Sequence, residues 1–188
     1  VIPQGQSAYS NMPIASSAEA NGKQVVRFAT SPRMSSYLLH LTVGDVERIS
    51  RKAAGVEIGI VTRKGAAEQG RVALDAAVEI LPWYNDYFGT SYPLPKLDMI
   101  AVPGTSQFFG AMENWGAIMY FEQALLMDPQ VSSESDRLNI YDAVAHEMAH
   151  QWFGNLVTME WWDDLWLNEG YATWMAEKAA STLRVRDN

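Results

Sequence analysis

Residues His146–Asn155 read HEMAHQWFGN. This stretch holds two of the three histidines in the chain, four positions apart, with a glutamate directly after the first. The run SSESDRLNIYDAVA before it predicts one long helix, with Ser132 or Ser133 as N-cap and Gly154 at its end. Residues i and i+4 share a helix face, so His146 and His150 present two imidazoles to one point. Glu147 is turned about 100° away and flanks that point. A catalytic zinc takes three protein ligands and leaves a fourth position for water. H-E-x-x-H is a known zinc metalloprotease signature in which the glutamate acts as the base. Taken alone, the pair also fits two core histidines with hydrogen-bond partners.

The third ligand is sought downstream. WLNEGYATW places Glu169 on a second helix predicted to begin near Asp163 or Asp164, with residues 151–168 between it and His150. Trp166, Leu167, Tyr171 and Trp174 surround Glu169 in sequence. A carboxylate buried among them would be costly without a partner, and a cation would supply one. Asp163 or Asp164 would either accept a hydrogen bond from a ligand histidine or cap this helix. The tryptophans at 152, 161, 162, 166 and 174 read as core.

Upstream, residues 1 to about 62 read as β-structure: KQVVRFAT, SYLLHLTVGDVERI and GVEIGIVT carry β-branched and aromatic runs separated by turn signals. From about Ala66 the period changes to that of a helix, placing Val72, Ala73, Ala76, Ile80 and Tyr84 near one face. Pro82 is expected to kink or end it. KLDMIAVP and GAIMYFE read as strands. The loop GTSQFFGAMENWG between them has two phenylalanines and glycines at 104, 110 and 116, as expected of backbone bending close to something.

Within that loop, Gly110–Asn114 spell GAMEN. Together with H-E-x-x-H, eighteen residues and a glutamate in N-E-G, this resembles the M1 family of zinc aminopeptidases, a branch of the gluzincins. NLVTMEWWDDLWLNEG and PRMSSYLLHLTVGDVE are similar to sequences of that family over nearly the whole chain. The resemblance implies an α+β fold. Residues 1–50 would be the C-terminal strands of a β-sandwich-like N-terminal domain. Residues 51–188 would be the first part of a thermolysin-like catalytic domain with a small mixed sheet and helices. It implies one Zn2+ per chain held by His146, His150 and Glu169, with Glu147 as general base. Glu113 would bind the free α-amine of a peptide substrate, Gly110 and Ala111 would offer backbone groups to it, and Asn114 would complete the motif. Met112 would border the pocket for the first side chain. The family's oxyanion donor is a tyrosine further downstream, expected beyond Asn188. The resemblance leaves open a relative that also opens lipid epoxides, and a non-catalytic pseudo-enzyme.

Composition bounds the rest. The 188 residues are 48% hydrophobic and 19% charged, as expected of a globular chain, and carry a formal net charge of −8 without any basic block. Neither nucleic acid nor membrane is therefore an expected partner. The chain has no cysteine, which excludes disulfides and thiolate metal sites and leaves cytoplasm and periplasm both open. Its first residues carry no signal-peptide pattern, and both ends read as cuts in a longer protein.

Overall fold

Alternating side chains in KLDMIAV organise the sheet. In the computed structural model, which describes residues 1–107 and 109–183, this run is the central strand of five. In chain order the elements are β1 (Ile2–Pro3), β2 (Ser7–Ser10), β3 (Ile14–Ala20), β4 (Lys23–Phe28), β5 (Leu41–Gly44), β6 (Val46–Ala53) and β7 (Val56–Arg63). Then follow α1 (Arg71–Phe88), β8 (Lys96–Val102), β9 (Ala111–Met112), β10 (Ala117–Phe121), α2 (Glu122–Leu125), α3 (Glu134–His150) and α4 (Leu165–Leu183). The fold is α+β.

The main sheet has the order β6-β7-β8-β10-β9. Its three central strands run parallel and each edge strand is antiparallel to its neighbour. Two smaller sheets, β1-β4-β3 and β2-β5, make up the N-terminal part. The expected division at residue 50 falls inside β6, which pairs with β7 along its whole length.

Successive residues of a strand point to opposite faces. Leu97, Met99 and Ala101 of β8 accordingly join Ile58, Ile60, Ile118 and Tyr120 in the large core shared with the helices. Ile100 faces the other way, with Val61 and Ala117, against Tyr9 of β2. Lys96 and Asp98 have the parity of Ile100 and so lie under the N-terminal strands. There the Lys96 ammonium pairs with Asp98 Oδ2 at 2.9 Å and donates to the carbonyls of Ser10 and Gly116. Arg48 Nε holds the other Asp98 oxygen at 2.9 Å. Asn11, also buried, donates to the carbonyls of Leu38 and Trp115 at 2.8 and 2.9 Å.

The helices form on the expected segments, with some differences. Helix α1 continues through Pro82 to Phe88 and ends at Gly89 in the left-handed region. Ala73, Ala76, Ile80 and Tyr84 are buried as predicted, and Val72 is partly exposed. Ser133 caps α3 through a capping box with Asp136. The helix stops at His150, before Gly154, because Gln151–Asn155 turn back with Asn155 N–H donating to the His150 carbonyl. In SYLLHL, Ser36–Leu38 form a 3-10 turn rather than strand. Four of the five tryptophans read as core are not: Trp152 is 2% exposed, whereas Trp161, Trp162, Trp166 and Trp174 are 46–68% exposed. Trp161 and Trp162 lie at the 3-10 turn before α4, and α4 turns its small face, Ala172, Ala176 and Ala179, inward and Trp166 and Trp174 outward. No described helix is long and apolar enough to cross a membrane.

Replacing Lys96 by Met should leave the buried Asp98 carboxylate with Arg48 alone, take the ammonium from the Ser10 carbonyl, and leave the Gly116 carbonyl with only the Asp98 N–H. Loss of one partner of a buried pair typically costs about 3–5 kcal/mol. A fall in unfolding free energy of that order, measured by chemical denaturation, is the expected outcome.

Candidate metal centre and substrate loop

Helix α3 delivers His146 and His150 from its last turn, and α4 packs beside it to bring Glu169 opposite. Small residues allow the close approach: Ala145 and Ala149 on α3, Ala172, Ala176 and Ala179 on α4. The two Nε2 atoms lie 3.1 Å apart, and Glu169 Oε2 lies 3.3 Å from that of His146 and 3.4 Å from that of His150. Three ligand atoms about 2.0–2.1 Å from a tetrahedral zinc lie roughly 3.3 Å from one another. The observed triangle therefore has the size that such an ion requires, and the donor set of two imidazoles and a carboxylate suits it. His150 donates Nδ1–H to the Phe153 carbonyl at 3.0 Å, which leaves the Nε2 lone pair for a metal. For His150 the backbone thus fills one of the two roles open to Asp163 or Asp164, which lie in the 3-10 turn before α4.

Glu169 is not the buried carboxylate expected from its aromatic neighbours. Its side chain is 48% exposed, because Trp166, Leu167 and Trp174 face outward and only Tyr171 packs against the core. Its partners are the imidazoles, His146 first, and they hold its carboxyl far below the usual carboxylate range.

Glu147 is buried, one oxygen has no hydrogen-bond partner, and its side chain lies close to those of Glu113 and His150. Burial raises its pKa to about 8, with the Glu113 and Glu169 charges adding and His150 opposing. For His150, burial disfavours the charged form, but Glu169, Glu147 and Glu113 outweigh it and raise the pKa to about 9. Behind Glu147, the buried Tyr120 phenol is pushed up by burial and by the Glu147 charge.

The GAMEN residues lie alongside. Ala111 and Met112 form β9, the edge strand, paired to Tyr120 and Met119. The Gly110 carbonyl accepts from Phe121 N–H at 3.0 Å. Glu113 and Asn114 are buried, and a Glu113 carboxylate oxygen lies within 4.8 Å of ligand atoms of both Glu147 and His150. Of the loop phenylalanines, Phe108 lies outside the described residues, and Phe109 packs on Phe121 with ring centroids 5.8 Å apart. Gly116 has φ +77°, and a Cβ there would meet the Asn11 carbonyl at 2.5 Å, so glycine alone fits.

Two polar residues not singled out from sequence hold this loop. Gln151 Oε1 accepts from Gly116 N–H at 3.1 Å, and Asn155 Nδ2 donates to the Glu113 carbonyl at 2.9 Å. The amide on the far side of a metal-ligand pair carries no periodic signal, and only its place beside the motif could have drawn attention to it.

The model of the peptidase family M1 domain matches residues 72–187. Among curated relatives, an aminopeptidase N of Acetobacter pasteurianus is 51% identical over 93% of this chain and 49% of its own length. A probable aminopeptidase 2 of Sulfurisphaera tokodaii is 51% identical over 93% of this chain and 22% of its own. A puromycin-sensitive aminopeptidase of Caenorhabditis elegans is 52% identical over 89% of this chain and 18% of its own. The chain thus spans between about a fifth and a half of these relatives.

Both upward pKa shifts mean that the folded, metal-free protein holds its protons more tightly than the unfolded chain. For Glu147 that stabilisation is complete below pH 4.5 and lost as pH rises to about 8. For His150 it is complete below pH 6.5 and lost as pH rises to about 9. The melting temperature in chelator should therefore fall between pH 6.5 and 9, and added zinc should flatten that fall. A flat profile in chelator would contradict the electrostatic reading.

Proposed function

The chain belongs to peptidase family M1, and from that premise we propose that it is the zinc-binding segment of an aminopeptidase cleaving the first peptide bond of substrates with a free N-terminus. The observation that carries this reading is the triangle of His146 Nε2, His150 Nε2 and Glu169 Oε2, with edges of 3.1–3.4 Å. These three residues would hold Zn2+. When bound, zinc acidifies a coordinated water and polarises the scissile carbonyl.

The remaining roles fall to the chain. Glu147 takes the proton of the attacking water and passes it to the departing amine. One of its buried carboxyl oxygens has no hydrogen-bond partner and the group lies close to His150, which suits that shuttle. Glu113 binds the substrate's terminal ammonium by a charge-assisted hydrogen bond. Its fixed place beside Glu147 and His150 supports a role in measuring off one residue. The edge position of β9 supports docking of an extended peptide alongside it, with Met112 bordering the first side chain.

In the full-length enzyme, Glu147→Gln should lower kcat by roughly 10²–10⁴-fold while elemental analysis still finds one zinc per chain. Turnover that survives the substitution would remove Glu147 as base. Glu113→Ala should weaken free-amine ligands by roughly tenfold or more and leave ligands lacking the amine nearly unaffected. Equal losses for the two classes would remove its role in amine binding.

A further inference from the structure

Gln151 follows directly after His150 and is fully buried at the turn where α3 ends. Its amide uses both ends. Oε1 accepts from Gly116 N–H at 3.1 Å, while Nε2 faces the carbonyls of Glu113 at 3.3 Å and Glu147 at 3.2 Å. Asn155, four residues on, donates a second bond to the same Glu113 carbonyl at 2.9 Å. One bond would leave the loop free to pivot. Contacts on both sides of Asn114–Trp115 fix its height and its rotation relative to the helix.

We propose that Gln151 is a positioning residue that sets the separation between the Glu113 carboxylate and the His146–His150–Glu169 triad, and with it the preference for substrates bearing a free N-terminal amine. This rests on the amine-binding reading of Glu113 given above. The strut is short and direct. It runs from the turn of α3 that carries Glu147 and His150, through a single side chain, to the backbone of the residue that receives the amine. Only an amide serves at this point, since the loop offers it one N–H and one C=O at once. A glutamate would keep the Gly116 bond but lose both donor contacts. It would also bring a further negative charge beside Glu113 and Glu147.

The test uses the full-length, zinc-loaded enzyme and two non-hydrolysable probes: an aliphatic amino-acid hydroxamate, and the same hydroxamate lacking its α-amine. The ratio of their dissociation constants, read by calorimetry, isolates the contribution of the amine. Gln151→Met keeps the length of the side chain and removes all three contacts. It is expected to reduce that ratio by roughly tenfold, with the affinity of the amine-free probe and the zinc content unchanged. Gln151→Glu should give a similar reduction, and Asn155→Ala a smaller one in the same direction. Asn155→Ala carries the test if Gln151→Met does not fold. Glu113→Ala serves as the reference. If it collapses the ratio while the Gln151 and Asn155 variants leave it unchanged, or weaken both probes equally, the proposal is overturned and the amine reading stands. If Glu113→Ala itself leaves the ratio unchanged, the amine reading fails and the proposal falls with it.

Discussion

A single buried ammonium joins the pieces of this fold. Lys96 opens the central strand of the main sheet, yet its side chain lies beneath the N-terminal strands rather than in solvent. Burial disfavours its charge and lowers its pKa, and the Asp98 carboxylate works against that shift. What the charge gains is reach in three directions: to Asp98 on its own strand, to the Ser10 carbonyl at the end of β2, and to the Gly116 carbonyl just before β10. An apolar residue of the same size would fill the space but could not tie three separated backbones together. Asn11 repeats the device one residue after β2 by holding the Trp115 and Leu38 carbonyls. The loop carrying Glu113 is therefore held from the N-terminal strands on one side and from the end of α3 on the other.

That double grip matters because the site concentrates like charges. Glu113, Glu147 and Glu169 meet around two imidazoles, and such carboxylates repel one another unless protons or a cation intervene. The upward shift at Glu147 comes first from burial, with the Glu113 and Glu169 charges adding to it, whereas the downward shift at Glu169 comes from its contacts with the two imidazoles. Without a cation, burial favours the protonated form of Glu147, and the two imidazoles favour the ionised form of Glu169. Held by backbone contacts on both flanks, the loop can keep Glu113 in place against this repulsion.

What could be read from the sequence follows the range of each interaction. The histidine pair, Glu147 and the long helix beneath them are local, set by i to i+4 spacing and a Ser–Asp cap. The buried central strand was equally legible from its apolar run. Strand β3 was not, since all seven of its residues are exposed and no apolar alternation marks it. The tryptophans near Glu169 misled because hydrophobic character does not say which face of a helix the core occupies. The small alanines of α4 decided that, and with it the exposure of Glu169. The contacts of Lys96 and Asn11 span 86 and 104 positions, and those of Gln151 with the loop span 35 and 38. Periodicity carries no information at such separations. The motif GAMEN drew attention to this loop through resemblance, but not to the side chains that hold it.

The three candidate ligands lie on two helices, with His146 and Glu169 separated by 23 positions. An ion bound to all three would act as a cross-link in a chain that has no cysteine. By the loop-closure arithmetic used for disulfides, a link across such a span removes about 3 kcal/mol of entropy from the unfolded chain. Unlike a disulfide, this link can be withdrawn without changing a covalent bond. The same ion that equips the site for chemistry would then also hold α4 to α3, so that metal supply would bear on the stability of the folded protein as well as its competence.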